Sequence, residues 1–277
     1  FIPDVMRMLD NVLTDFIEKA PESFSDATYS ALKERSVGLG VMGLHSYFQQ
    51  KKIPFESVMS KVWNKKIFSN IQKQVDQASK DLADERGPCP DAADYGINER
   101  FSNKTAIAPT ASISIICGGT SPGVEPIAAN SYTHKTLSGS FNVRNKYLTE
   151  VLEKYGKNDE ETWSSITTNQ GSVSHLDFLS QDEKDVFKTA FELDQRWIVD
   201  LGADRTPHIS QAQSINIFIP ADIHKKDLHQ IHFQAWKKGL KSLYYCRSKS
   251  IQRAENVNDA SSTAVSYTHL TLPTNAC

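Results

Sequence analysis

Two places in the sequence carry residue types that could do chemistry: the adjacent Tyr244 and Tyr245, and the run Ala108-Pro109-Thr110-Ala111-Ser112-Ile113-Ser114. A phenol is a weak acid that can also donate and accept a hydrogen bond. Successive side chains in a strand point to opposite faces. The ordinary arrangement is therefore one core and one surface tyrosine, and the two can act together only if the backbone leaves regular strand geometry. In the second run, proline fixes φ and can start a helix without wasting an amide. Thr110 and Ser112 add hydroxyls, and free amides at the positive end of a helix dipole receive phosphate. An ordinary helix cap would use the same residues.

Other patterns are weaker. Gly38-Leu39-Gly40-Val41-Met42-Gly43 matches GxGxxG. A dinucleotide fold needs an apolar strand before the first glycine and an acidic residue about 20 residues later. Here the preceding residues 31–36 are polar and helix-like, so the glycines read as points of close packing. His224, His229 and His232 have no cysteine or carboxylate to complete a ligand set and read as a solvated helix face. Glu192, Asp194, Asp204 and Arg205 read as a salt-bridged helix surface, and Cys246 as a small buried hydrophobe.

The elements that must position these residues follow from periodicity. Apolar residues at helical spacing from Val5 to Ile17 predict a helix over residues 4–20, stopped by Pro21. Residues 36–48 read as a buried strand or tight turn leading into a helix. Val58, Val62, Ile67, Ile71, Val75 and Leu82 predict a long helix over residues 55–86, ended by Gly87-Pro88. A loop is expected over 87–103, a strand over 104–108, irregular chain over 120–146 and a short helix near 146–155. Ser180-Gln181-Asp182-Glu183 is a capping box, opening a helix that continues through Trp197 to Leu201. Ile215, Ile217 and Ile219 alternate in a strand over 213–219. A helix over 222–238 then ends at Gly239, and a last strand spans 240–246. Strands separated by helices predict an α/β fold with mainly parallel strands.

Composition bounds the rest. The chain has 277 residues, with 31 Lys and Arg against 33 Asp and Glu, which argues against a general nucleic-acid binder. No apolar run of about 18 residues exists, so no membrane span is expected. The start, Phe1-Ile2-Pro3-Asp4, is no signal peptide, and the missing initiator Met suggests a chain that begins mid-protein. Cys89, Cys117, Cys246 and Cys277 form no CxxC, so reduced thiols in a cytoplasmic protein and no metal site are expected. Residues 256–277 read as an unstructured tail. Of these, about 265–277 (VSYTHLTLPT and the three residues after it) resemble sequencing-adapter read-through and are set aside from the fold.

Taken together, seven stretches resemble the large (α) subunit of class I, aerobic ribonucleotide reductase. They are RMLDNV from Arg7, RSVGLGVMGL from Arg35, ERGPCP from Glu85, AIAPTASIS from Ala106, ADRTP from Ala203, QAQSINIFIP from Gln211 and LKSLYYCRS from Leu240. They occur in the family's order over about residues 4–255. The resemblance implies the second half of a ten-stranded α/β barrel, with flanking helices. It implies that Thr110, Ala111, Ser112 and Ile113 bind the substrate's diphosphate. It also implies that Tyr245, nearer the subunit interface, and Tyr244, nearer a catalytic thiol, relay a radical. The family reduces ribonucleoside diphosphates to the 2′-deoxy form. It uses a small subunit with a metal or radical centre, ATP and dNTP effectors, and thioredoxin or glutaredoxin as reductant.

In the family, the radical cysteine, the redox pair and the effector sites lie upstream of the PTAS-like segment, in a part that would precede Phe1. The CxxC tail has no counterpart here, and none of Cys89, Cys117 or Cys246 sits in a matching context. This chain would therefore bind no cofactor itself, require the N-terminal remainder of the large subunit, and be inactive alone. A half barrel would also expose apolar faces. Two alternatives use the same residues: the C-terminal polypeptide of a naturally split large subunit, or a fragment of a cobalamin-dependent reductase, which needs no tyrosine relay.

Overall fold

The computed structural model describes residues 1–136 and 139–248. Helix α1 spans Ile2–Lys19, followed by a 3-10 turn at Glu22–Phe24 and α2 over Ser25–Glu34. The glycine-rich stretch then runs extended into α3, Leu44–Gln50. The long helix α4, Val58–Arg86, begins with the Ser57 hydroxyl accepting from the Ser60 amide and ends at Gly87. Short helices α5, Pro90–Ala93, and α6, Ala111–Ile116, follow. Strands β1, Ser131–Thr136, and β2, Gly139–Arg144, pair antiparallel. Helices α7, Lys146–Lys154, α8, Glu160–Thr168, α9, Gln181–Val186, and α10, Gln195–Arg205, lead to β3, Ile217–Ile219. Helix α11, Lys225–Lys237, connects β3 to β4, Cys246–Ser248.

Four extended segments lie side by side and parallel. Leu39 bridges to Thr105, Ile107 to Gln213, and β3 pairs with β4 in register Ile217 to Cys246. The helices that connect them cover the array, as parallel strands require. Ile215, Ile217, Phe218 and Ile219 are all buried, so both faces of this segment are covered rather than one. One core joins Phe48, Phe55, Phe68, Ile107, Leu201 and Ile215. A second, under α7 to α9, centres on Trp163, Leu148 and Phe187.

Several expectations need correction. Residues 120–146 contain the antiparallel β1–β2 pair, which is mostly polar, with only Phe141 and Val143 alternating. The segment after the capping box is two helices, because the chain turns between Phe187 and Asp194. There the Gln195 Nε2 donates to the Ala190 and Leu193 carbonyls, and its Oε1 accepts from the Phe218 amide at 2.7 Å. The last ladder begins at Cys246, where the expected strand ended. Arg205 is in the core, with its Nε 2.5 Å from the Gln213 Oε1 and its guanidinium over the Phe68 ring. Cys246 is exposed, 3.9 Å from the His232 Nε2. Residues 249–277, which include the proposed tail and adapter-like segment, lie outside the described residues. No helix among the described residues is long and apolar enough to cross a membrane.

Two constraints hold the array. Asp10, fully buried on α1, accepts from Arg35 (2.7 and 2.9 Å), Arg86 (2.8 Å) and Arg100 (2.8 Å). Burial opposes its ionisation, but hydrogen bonds from Arg100, Arg86 and Arg35 outweigh that and hold the carboxyl below its usual range. Arg35 closes α2 in a left-handed conformation, φ 43, a cost that its bonds to Asp10 offset. The second constraint is Gly40, where a Cβ would stand 2.5 Å from the Ala106 carbonyl oxygen. The glycine run thus serves close backbone approach.

Asp10→Asn should lose about 3–5 kcal/mol at neutral pH, because it breaks a buried ion cluster. The depressed carboxyl stabilises the fold above its unfolded value, near 3.9, and that stability disappears as pH falls through the lower folded value. The gap between wild type and variant in urea unfolding should therefore narrow below about pH 4. Gly40→Ala should cost about 1–3 kcal/mol by the same measurement, through overpacking.

Candidate functional site

The segment carrying Thr105 and Ile107 sits between its two parallel neighbours. Its ladder ends when the Ser214 amide donates to the Ile107 carbonyl at 2.9 Å. Pro109 cannot continue a ladder as a donor, and the chain turns out of the array there. Thr110 takes a left-handed conformation, φ 51, as the N-cap of α6. Its Oγ1 accepts from the Gly123 amide at 2.7 Å. The first α6 amides, on Ala111, Ser112 and Ile113, precede the first intrahelical bond, and these three residues are exposed. Three open amides beside the hydroxyls of Thr110 and Ser112 can receive an anion.

The tyrosine pair lies at the same end of the array. Its backbone departs from regular strand geometry, as joint action would require. The Tyr244 amide donates to the Ile215 carbonyl at 2.8 Å, while the Ile217 amide donates to the Tyr245 carbonyl at 2.9 Å. In a regular parallel ladder, one residue would lie between those two bonds. Here two do, Tyr244 and Tyr245 opposite Asn216, which is a β-bulge. The spare Tyr245 amide donates to the Asn216 Oδ1 at 3.1 Å. The two phenol rings lie 4.1 Å apart between centroids at 50°, each about half exposed. The hydrogen bond to Tyr245 raises the Tyr244 phenol above its ordinary range.

A cleft of about 280 Å³ lies between Pro109 and Tyr244, lined also by Ala108, Gln213, Ser214 and Leu243. Of the residues singled out in the sequence as diphosphate binders and as a phenol pair, only Tyr244 lines it, while Ala111 lines a separate cavity with Ser114, Thr120 and Asn130. The cleft thus reaches Tyr244 on one side and Pro109, the residue before Thr110, on the other. Sequence reasoning missed Asn216 and Glu125. Asn216 is 1% exposed, and its amide donates to the Glu125 Oε1 at 3.0 Å. Glu125 is buried, and burial pushes its carboxyl up, against the hydrogen bonds from Asn216. Their only signal is a polar residue inside an alternating apolar strand and an acid inside Gly-Val-Glu-Pro.

The other candidates are structural. His224 caps α11 by accepting from the Lys226 amide, and His229 stacks on Phe233. The half-buried Asp194 caps α10 and pairs with Arg196. Among the described residues, no group of three or more His, Cys, Asp or Glu could hold a metal ion. Cys89, Cys117 and Cys246 are unbridged, and Cys89 is buried.

Comparison with known proteins places this geometry. The family model of the ribonucleotide reductase barrel domain matches residues 2–99 and 91–246. The ribonucleoside-diphosphate reductase large subunit of Invertebrate iridescent virus 6 is 50% identical over 262 residues, covering 93% of this chain and 27% of the relative. The protein of the same name from Invertebrate iridescent virus 3 is 44% identical, covering 95% of this chain and 42% of the relative. The solved Actinobacillus ureae class Id ribonucleotide reductase alpha subunit superposes with a TM-score of 0.84 at 37% identity, over 90% of this chain and 46% of that one. The chain thus spans less than half the length of each of these relatives. With the parallel array, its flanking helices and this match over nearly all described residues, the chain belongs to the ribonucleotide reductase barrel-domain family.

Proposed function

We propose that this chain forms the C-terminal part of the barrel, residues 1–255, of a large subunit that reduces ribonucleoside diphosphates. Within that subunit it holds the substrate's diphosphate and passes the radical. What supports this reading is the exposed start of α6 at Ala111, Ser112 and Ile113 together with the contact of the two phenol rings, Tyr244 lining a cleft that begins at Pro109. The amides of Ala111, Ser112 and Ile113 and the hydroxyls of Thr110 and Ser112 receive the diphosphate. Tyr245 faces the small subunit and Tyr244 the catalytic thiol.

Each phenol gives up one electron and one proton and regains them from the next group along the path. A thiyl radical then takes the 3′ hydrogen of the ribose. A cysteine pair supplies two electrons and two protons, the 2′ hydroxyl leaves as water, and the pair closes to a disulfide; the first thiol then returns its hydrogen to C3′ and is a thiyl radical again. Thioredoxin or glutaredoxin restores the thiols. Cys89, Cys117 and Cys246 have no assigned part in this, so the reacting thiols belong to the remainder of the large subunit. The metal or radical centre belongs to the small subunit, and the effector nucleotides bind outside this chain. The setting is the cytoplasm.

In an enzyme assembled from this chain, the rest of the large subunit and the small subunit, Tyr244→Phe and Tyr245→Phe should each abolish deoxyribonucleotide formation. Full activity of Tyr244→Phe would instead favour a cobalamin-type reductase, which needs no relay. Ser112→Ala should raise KM for the diphosphate about tenfold with kcat little changed, the loss of one hydrogen bond to a charged group. Turnover by this chain with the small subunit alone would overturn the placement of the thiols elsewhere.

A further inference from the structure

The bulge at Tyr244 and Tyr245 needs a cause. An extra residue in a strand leaves one amide without its ladder partner, and an unpaired amide is costly once removed from water. Here the stranded amide is that of Tyr245. Regular pairing would have sent it to the Ile215 carbonyl, which Tyr244 already occupies. The Asn216 Oδ1 accepts it instead.

Asn216 is itself held from its other edge. Along that edge the Ser214 amide meets the Ile107 carbonyl, and the next amide in step is that of Asn216. Its ladder partner would be the carbonyl of Pro109, but the chain leaves the array there to form α6. The Glu125 Oε1 takes that amide at 3.0 Å. Asn216 is buried. Two carbonyl-like oxygens, one from Glu125 and one from Asn216, thus close the ladder on either side of a single residue.

We propose that Asn216, anchored by Glu125, is the positioning residue of the tyrosine pair: it accepts the Tyr245 amide, fixes the two-for-one bulge, and so sets both phenols in contact on one side of the strand. This rests on the reading of the pair as a relay only for its consequence in turnover. The geometric claim stands apart from it. Glu125→Gln keeps an acceptor for the Asn216 amide and preserves the arrangement. Asn216→Leu keeps the volume but removes the acceptor. The freed Tyr245 amide then recovers its ladder partner by slipping one residue, which returns the two rings to opposite faces.

The test places 3-fluorotyrosine at 244 in the full chain, assembled with the rest of the large subunit, and follows its fluorine resonance against pH. The phenol in contact with Tyr245 should titrate above the same probe in Tyr245→Phe. In Asn216→Leu it should fall to the Tyr245→Phe value, while in Glu125→Gln it should stay near wild type. An unchanged titration in folded Asn216→Leu overturns the proposal, whatever turnover does. A lowered titration with full turnover supports the positioning role and contradicts the relay. If Asn216→Leu does not fold, hydrogen exchange in the unmodified chain decides: the Tyr245 amide should be protected, and rapid exchange there overturns the proposal.

Discussion

The cleft depends on where the parallel ladder stops. The segment through Thr105 and Ile107 pairs on one side with the glycine-rich chain at Leu39 and on the other with Gln213. It can pair on both sides only because Gly40 lets a backbone carbonyl come within a distance that no side chain permits. It must stop at Pro109, which has no amide to give. The consequences spread from that residue. The chain turns into α6 and opens the amides of Ala111 to Ile113. The neighbouring strand loses its partner at Asn216, and Glu125 fills the gap. On the far edge the same Asn216 accepts the surplus amide of the bulge.

Most of the stretches that carry the family resemblance serve this frame. Three of them, around Arg7, Arg35 and Glu85, meet near Asp10, where Arg35 and Arg86 converge with Arg100 on one buried carboxylate. Beside it, Arg7 and Glu85 form their own pair. A fourth supplies Arg205, whose Nε holds the Gln213 side chain from beneath the array. Ser210 ties the adjoining segments, with its Oγ accepting from the amides of Lys104 and Thr105. These contacts fix the heights at which the strands end. The two stretches proposed to carry the chemistry lie where the ladder stops, at Pro109, and where it bulges, at Tyr244.

Sequence periodicity found what local physics controls. Helices α1 and α4 bury one face over many turns, and the capping box at Ser180 closes on itself within four residues. Pro109 beside Thr110 announced a helix start, and α6 begins there. Features set by distant partners were not legible. Val186, Phe187, Ala190 and Phe191 look like one continuing helix. The break between them depends on Gln195, whose oxygen is committed to the Phe218 amide. Arg205 looked like a surface charge because nothing nearby in sequence reveals the burial supplied by α4. The bulge was equally hidden: only the pairing of Tyr244 and Tyr245 against Asn216 shows that adjacent residues can share a side.

The central claim is that the end of the strand at Pro109 leaves both the open amides of α6 and a cleft that reaches Tyr244. A nuclear magnetic resonance titration of the assembled large subunit, labelled in this chain, with a ribonucleoside diphosphate tests it most directly. The amides of Ala111, Ser112 and Ile113 and the ring of Tyr244 should shift together along one saturating curve. Shifts confined to another surface, or a cradle that saturates while Tyr244 stays unmoved, would contradict the account.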